Sequence, residues 1–456
     1  MFSNDKHIHF VGIGGIGMSG IAEVLINLGF EVTGSDIQTT GITRRLERLG
    51  AVVYGGHARE NVKKADIVVI SSAIPSSNPE IVAASERGIP VIPRSDMLGE
   101  LMTLKDGIAV AGAHGKTTTT SIAAEVMDRA GLDPTVIIGG KVEALGINAR
   151  LGEGKFILAE VDESDGNFVR LSPDIALITN VDLEHLNFYG SLDRIYDAFI
   201  EFASGVPFHG NVICCSDDNH LKSILPRIDR NVITYGLGND AKFKGIIREQ
   251  TRRGSAFSLV VDGEQKGDLF INMPGRYNVL NALGVCALAE QLGIGLDVLR
   301  ASLKKLHGVG RRFEIKGEAG GVLFIDDYAH HPTEIEAVIG AVRKSYDRRL
   351  VVIFQPHRYT RTRDLHSNFD RCFVMADQLF IMDIYPASEN KLPGVSGELI
   401  YRAALKGKKT GVNYVPGREN IRKAVTGYIR EKDLVLTLGA GDVYRLGEEI
   451  MKERGV

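Results

Sequence analysis

Lys116 and Thr117 close the string Ala-Gly-Ala-His-Gly-Lys-Thr-Thr at residues 111–118, which follows an apolar stretch and leads into a run with helical character. A lysine and a hydroxyl at the start of a helix, preceded by a Gly-rich turn, suit the phosphates of a nucleotide. Backbone N–H groups and the helix N-terminus face the anion, Lys116 neutralises charge, and Thr117 can hold a magnesium ion. The general phosphate-loop pattern needs glycine at position 110, where this chain has Val110, so the loop is shortened to Gly112-Ala-His-Gly-Lys. A glycine-bearing helix start with no ligand is the alternative. ATP is the first expectation.

Two acidic motifs lie downstream. Ala159-Glu160-Val-Asp162-Glu163-Ser-Asp165 ends a predicted strand, the place where magnesium takes an oxygen ligand, although four carboxylates in six residues also suit an exposed acidic turn. Asn180-Val-Asp182-Leu-Glu184-His185 sits past a further strand, which makes His185 a candidate metal or phosphate ligand. Near the N-terminus, Gly12-Ile-Gly14-Gly15-Ile-Gly17 follows a strand and opens a helix, and Asp36 ends the next strand. That is the dinucleotide fingerprint in its proper context. Its chemistry, close backbone approach to a diphosphate, serves NAD, FAD or a UDP-sugar alike, and turn glycines with no ligand remain an alternative. In the last third, Asp326-Asp327-Tyr328-Ala-His330-His331-Pro and Gln355-Pro-His357-Arg358-Tyr359-Thr-Arg361-Thr-Arg363 end what read as neighbouring strands. Arg358 and Arg361 suit bidentate contact with phosphate or a developing anion, against the alternative of a solvated basic loop.

The elements that must position these residues alternate strand and helix. Strands are expected at His7–Val11, Glu31–Ser35, Ala51–Tyr54, Ile67–Ile70 and Pro90–Ile92, then a closing helix and hinge over Ser95–Leu104. A second block places strands at Gly107–Ala111, Phe156–Glu160 and Ile175–Thr179. It has an antiparallel insert over Asn231–Asn272, then helices at Arg276–Leu292 and Leu296–His307. Gly308–Arg312 reads as a second hinge. Strands at Val322–Asp326, Leu350–Phe354, Gln378–Met382 and Leu434–Leu438 complete a third block. The fold class is therefore α/β with three domains: Rossmann-like at 1–103, a P-loop ATPase-type centre with an antiparallel insert at 104–308, and Rossmann-like at 309–456. A net charge of −3 gives no global pull toward nucleic acid or an anionic membrane. No apolar run approaches a membrane span, no signal-peptide pattern opens the chain, and Cys214, Cys215, Cys286 and Cys372 lack metal-site spacing, so a cytoplasmic chain with reduced thiols is expected.

With these motifs in place the chain resembles, over its whole length, the Mur ligases of peptidoglycan synthesis. The family-level marks are the short loop Gly112-Ala-His-Gly-Lys-Thr-Thr, the Glu163 segment, Asn180 to His185, Arg276-Tyr-Asn278-Val-Leu-Asn281-Ala and Arg311-Arg312-Phe-Glu. The Gly12 cluster, the Asp326 motif and the Gln355 motif point, within the family, to the branch that adds the first amino acid.

The resemblance implies an ATP- and magnesium-dependent ligase that takes UDP-N-acetylmuramate and L-alanine through an acyl phosphate. It assigns Gly112, Ala113, His114, Gly115, Lys116, Thr117 and Thr118 to the ATP phosphates. Thr117, Glu163 and His185 fall to magnesium, and Asn278, Arg312 and Asp327 to the nucleotide. Lys116, Glu163, His185, His330 and Arg358 form the expected catalytic set, with Tyr328 and Arg361 lining the reacting end. Gly12, Gly14, Gly15, Gly17, Asp36, His57, Ser72 and Arg94 are the expected UDP-sugar residues. Several members carry a carbamylated lysine on the helix after the His185-type segment. Here no lysine occurs between His185 and Lys222, and Phe199 stands near the expected place, which argues against a carbamate.

Overall fold

The computed structural model describes residues 5–71, 73–142, 147–306, 310–387 and 389–455. Ser72 and the expected 308/309 boundary lie outside the described residues. Three sheets organise the chain. The first is parallel, in the order Val52–Gly55, Glu31–Asp36, His7–Val11, Ile67–Ile70, Val91–Pro93. All five residues of His7–Val11 are buried, as expected of a central strand covered on both faces. Strand order reverses around this strand, so the Gly12–Gly17 turn lies at a switch point, where open α/β sheets bind ligands.

The second sheet has ten strands. At its centre Asp106–Ala111 lies between Phe156–Glu160 and Ile175–Ile178, parallel to both, so the phosphate loop and both acidic motifs emerge from one edge. The expected antiparallel insert begins later than Asn231. Val232–Gly236 pairs in parallel with Asn211–Cys215, and its far side pairs in parallel with the start of Phe243–Thr251. The buried run Val-Ile-Cys-Cys before it is the second half of a βαβ unit that the sequence reading passed over. Two-residue links at 252–253 and 262–263 then join hydrogen-bonded neighbours, Phe243–Thr251, Gly254–Val261 and Glu264–Ile271, a connection only antiparallel strands allow.

The third sheet runs Glu314–Ala319, Val322–Asp327, Asp433–Leu438, Arg349–Phe354, Gln378–Ile381, Val412–Tyr414, antiparallel at the first pairing and parallel elsewhere. Its core includes Phe324, Val351, Ile353, Val435, Leu446 and Ile450. The Asp326 and Gln355 motifs do not end adjacent strands: Asp433–Leu438 separates them, because the last strand of the chain inserts between two earlier ones. The chain packs as two compact units, Met1–Ile246 with Ser258–Leu269 and Leu280–Leu303, and Ile247–Phe257 with Phe270–Val279 and Lys304–Val456. Among the described residues no helix is long and apolar enough to cross a membrane.

Candidate active site

In the first unit, the 14-residue helix Lys116–Arg129 starts at Gly115, which has φ +81° and offers no side-chain cap. The first-turn N–H groups are therefore left for an anion. A Cβ at Gly115 would stand 2.7 Å from Asn281 Oδ1, and one at Gly112, where φ is +130°, would stand 2.1 Å from Thr179 Oγ1. Both glycines are required by backbone angle and by space. The loop between them is tied down by the next strand end. His114 N donates to Asn180 Oδ1 at 2.8 Å, while Thr179 Oγ1 and Asn180 Nδ2 donate to the His114 carbonyl at 2.6 and 2.9 Å. The His114 ring meets Asp182 Oδ2 at 2.9 Å.

Lys116 Nζ donates to both Glu163 oxygens at 3.0 and 2.8 Å and to the Gly112 carbonyl. Burial alone would depress the ammonium, but the carboxylates of Glu163, Asp162 and Glu160 outweigh it and hold the pKa above the usual lysine value. Thr117 Oγ1 donates to Glu160 Oε1 at 3.0 Å, not to Glu163. His185 has φ +56°, and its Nε2 lies 3.8 Å from a Glu163 oxygen and 3.8 Å from one of Glu184. Tyr189 Oη donates to the Glu163 carbonyl at 2.5 Å, fixing the backbone of the acidic turn. Phe199, near the expected carbamate position, is 1% exposed and packs on Phe168 with ring centres 5.2 Å apart, so that position belongs to the apolar core.

The Gly12–Gly17 turn lies in the same unit. Gly12 N and Ile13 N donate to the Ser35 carbonyl at 2.8 and 3.0 Å, and Gly15 heads the helix Ile16–Asn27 without a side-chain cap. Asp36 Oδ2 accepts from Gly14 N at 2.9 Å, so this carboxylate shapes the turn. Arg94 lies over Gly17, where a Cβ would meet its Nη1 at 1.8 Å, and its Nη2 donates to Asp162 Oδ2 at 3.0 Å. His57 follows the strand Val52–Gly55 and is held through Nδ1 by Ser35 Oγ at 2.9 Å and Glu80 Oε2 at 3.0 Å.

In the second unit, Asp327 is buried and accepts from Ala329 N and Phe313 N, each at 2.7 Å. Burial lifts its carboxyl to about 6. The Arg312 guanidinium lies 5.0 Å from the centre of the Tyr328 ring. His330 Nδ1 lies 3.0 Å from the Tyr328 carbonyl oxygen, which can only accept, so the proton sits on Nδ1. The rings of Tyr328 and His330 are 5.5 Å apart, those of His330 and His357 5.6 Å, and His357 stacks on Tyr385 at 5.7 Å. Arg361 Nη1 is 3.2 Å from His357 Nδ1, and Arg358, exposed and with φ +69°, donates its N–H to the Tyr385 carbonyl at 2.8 Å. Asn278 is buried, with Nδ2 donating to the Pro274 carbonyl at 2.7 Å.

The structure thus gathers Gly112–Thr118, Glu163 and His185 into one cluster, the first glycine turn with Asp36 and Arg94 into a second, and Asp327, Tyr328, His330 and Arg361 into a third. Sequence reasoning carried Glu160, Asp182 and Asn281 inside its motifs without giving them roles of their own, and did not single out Glu80 or Tyr385. Glu160 carried a usable signal, as the last residue of the strand beside the loop. Glu80 and Tyr385 carried none, because their side-chain partners are 19 to 71 positions away.

Family models match along the chain: "Mur ligase family, catalytic domain" at residues 7–106, "Mur ligase middle domain" at 110–289 and "Mur ligase, glutamate ligase domain" at 311–441. The UDP-N-acetylmuramate–L-alanine ligase of Geotalea daltonii is 47% identical over 453 residues, covering 99% of each chain. That of Solidesulfovibrio magneticus is 50% identical over 452 residues, again with 99% of each chain covered. Among solved structures, the UDP-N-acetylmuramate–alanine ligase of Thermotoga maritima superposes with a TM-score of 0.81 at 30% identity, over 98% of this chain and 99% of that one. A murein peptide ligase from Psychrobacter arcticus, at 24% identity and a TM-score of 0.71 over 99% of both chains, shares the fold.

Proposed function

The chain belongs to the Mur ligase family and is an ATP-dependent ligase of peptidoglycan synthesis joining UDP-N-acetylmuramate to L-alanine, and from that membership we propose how its residues divide the work. The observation that carries the proposal is the Lys116 ammonium, held against Glu163 at an uncapped helix start. Such a group meets the β- and γ-phosphates of ATP, and the loop N–H groups from Gly112 to Thr118 surround them. A carboxylate oxygen of the UDP-sugar attacks the γ-phosphorus and ADP leaves. The alanine amine then attacks the acyl carbon, and the tetrahedral species expels inorganic phosphate as the amide forms. Arg358 and Arg361 supply fixed positive charge for the oxygens on which charge builds. With its proton on Nδ1 facing the Tyr328 carbonyl, the His330 ring is the proposed group to take a proton from the amine, through Nε2.

The donor set suits magnesium. Thr117, Glu160 and Glu163 offer hard oxygens around the phosphate loop, and His185 adds a nitrogen 3.8 Å from Glu163. Bound there, magnesium would neutralise charge on the transferring phosphoryl group. We assign Asn278, Arg312 and Asp327 to the nucleotide and Tyr328 to the reacting end. The Gly12–Gly17 turn, Asp36, His57 and Arg94 go to the UDP-sugar. Residues 1–103, 104–308 and 309–456 are the proposed sugar-nucleotide, ATP and amino-acid domains. A cytoplasmic setting fits the four buried free thiols. The test is phosphate release with the purified chain: it is expected only when ATP, magnesium, UDP-N-acetylmuramate and L-alanine are all present. Full-rate release without the amino acid overturns amide formation.

A further inference from the structure

Beneath the proposed UDP-sugar site lies a buried polar network that the reaction does not use. Glu80, in the helix Pro79–Glu86, is 0% exposed. Its Oε2 accepts from Ser35 Oγ at 2.6 Å and from His57 Nδ1 at 3.0 Å, and its Oε1 accepts from Asn61 Nδ2 at 2.5 Å. His9 Nε2, itself buried, stands 3.6 Å from Oε1. Burial alone would raise this carboxyl, but the donors around it hold it at about 2. At neutral pH Glu80 is therefore ionised and can only accept. It follows that the His57 proton resides on Nδ1. Ser35 leads to the same tautomer, because its hydroxyl proton goes to Glu80 and its oxygen is left to accept from His57. In the neutral ring Nε2 is then a lone-pair acceptor.

Location gives that acceptor a use. The Ser35 residue that grips His57 also receives Gly12 N and Ile13 N on its carbonyl, so the ring is anchored to the glycine turn itself. His57 is 17% exposed in its side chain, and no partner for Nε2 is found among the described residues.

We propose that Glu80 is a positioning residue that sets the His57 tautomer, so that Nε2 accepts a hydrogen bond from an N–H or O–H donor on the uridine of the UDP-sugar. This rests on the assignment of His57 to that substrate. The two sources of the donor are the imide N–H of the uracil and a ribose hydroxyl. A ring fixed in the opposite tautomer would present N–H to the same group and repel it. Specificity follows from that difference, because an unpaired donor against a donor is penalised more heavily than a missing contact.

The experiment measures KM for the UDP-sugar, its N3-methyluracil analogue and its 2′- and 3′-deoxyribose analogues in wild type, Glu80→Gln and His57→Ala. In wild type, one analogue is expected to bind at least about tenfold more weakly than the parent, about 1.4 kcal/mol for the loss of one hydrogen bond. In Glu80→Gln that discrimination is expected to collapse to within about twofold, with KM for ATP unmoved. His57→Ala should lose the same discrimination. Selective ¹⁵N-histidine spectra, assigned with His57→Ala, should show Nδ1–H in wild type and its loss or redistribution in Glu80→Gln. Full discrimination retained in Glu80→Gln, or an Nε2–H tautomer in wild type, overturns the proposal. Should Glu80→Gln fail to fold, the wild-type tautomer and the His57→Ala discrimination decide by themselves. Failure of the wild-type chain to turn over UDP-N-acetylmuramate at all would strike the functional reading instead, which separates the two.

Discussion

Replacing Lys116 by methionine should damage stability and catalysis by separable amounts. The substitution keeps the apolar stem and removes the ammonium, leaving the 3% exposed Glu163 without the donor that meets both of its oxygens. Breaking a buried ion pair from one side costs about 3–5 kcal/mol. The Lys116 side chain retains 15% exposure, so the lower end, about 3 kcal/mol, is expected. Removing the second charge as well, in Lys116→Met/Glu163→Gln, leaves no uncompensated carboxylate and should restore about 2 kcal/mol of that loss. Catalysis should follow the opposite logic. Loss of a fixed positive charge on a transferring phosphoryl group costs on the order of 10³-fold or more in rate, and the double variant regains none of it. Urea unfolding with a constant m-value reads the first quantity, and phosphate release the second. A double variant as unstable as the single one would refute the ion-pair argument. Near-normal turnover in either variant would refute the phosphate assignment.

Two further outcomes follow from the same geometry. Burial raises Asp327 from 3.8 to about 6, so the folded chain binds that proton more tightly than the unfolded chain. The stabilisation is complete below about pH 4 and is lost as pH rises through about 6, roughly 3 kcal/mol for a shift of this size. The stability difference between wild type and Asp327→Asn should therefore change by that order between pH 4 and 7, and a flat difference in chemical denaturation would contradict it. Gly112→Ala combines φ +130° with a Cβ 2.1 Å from Thr179 Oγ1. It should destabilise by about 1–3 kcal/mol in thermal unfolding, and adding Thr179→Ala should relieve the 2.1 Å contact but neither the approach to the Asn180 backbone at 3.0 and 3.1 Å nor the backbone strain. Complete rescue by Thr179→Ala would show that the angle costs nothing.

Local signals made much of this legible in the sequence. Buried runs such as His7–Val11 and Gly107–Ala111, each followed directly by glycine, identify central strands and their ligand-facing turns without any knowledge of the partners. Pairing is a different matter. Val232–Gly236 has the length and half-buried pattern of a hairpin strand, and only its register with Asn211–Cys215 shows it to be parallel. The edge strand Glu314–Ala319 escaped because Glu-Ile-Lys-Gly-Glu-Ala is mostly polar, as an exposed edge requires. Within the site, the acidic cluster drew attention to Glu163, yet the Thr117 hydroxyl turns to Glu160, a choice fixed by which strand end stands beside the helix start. Glu80 lay beyond sequence reasoning because a buried carboxylate is recognised by its donors, and here these come from three other parts of the first domain.

The guanidinium of Arg94 resting on Gly17 and reaching Asp162 has a consequence for building chimeras. It is a mortise joint: Gly17 is the socket, Arg94 the tenon, and Asp162 the peg on the neighbouring module. A first module transplanted from another family member would bring its own counterparts of Gly17 and Arg94, so the peg would hold only where the recipient offers an acid at the Asp162 position. A side chain at the Gly17 position would push the flexible end of the guanidinium aside and loosen that reach. Compatibility of exchanged modules thus turns on whether a donor guanidinium meets a recipient carboxylate.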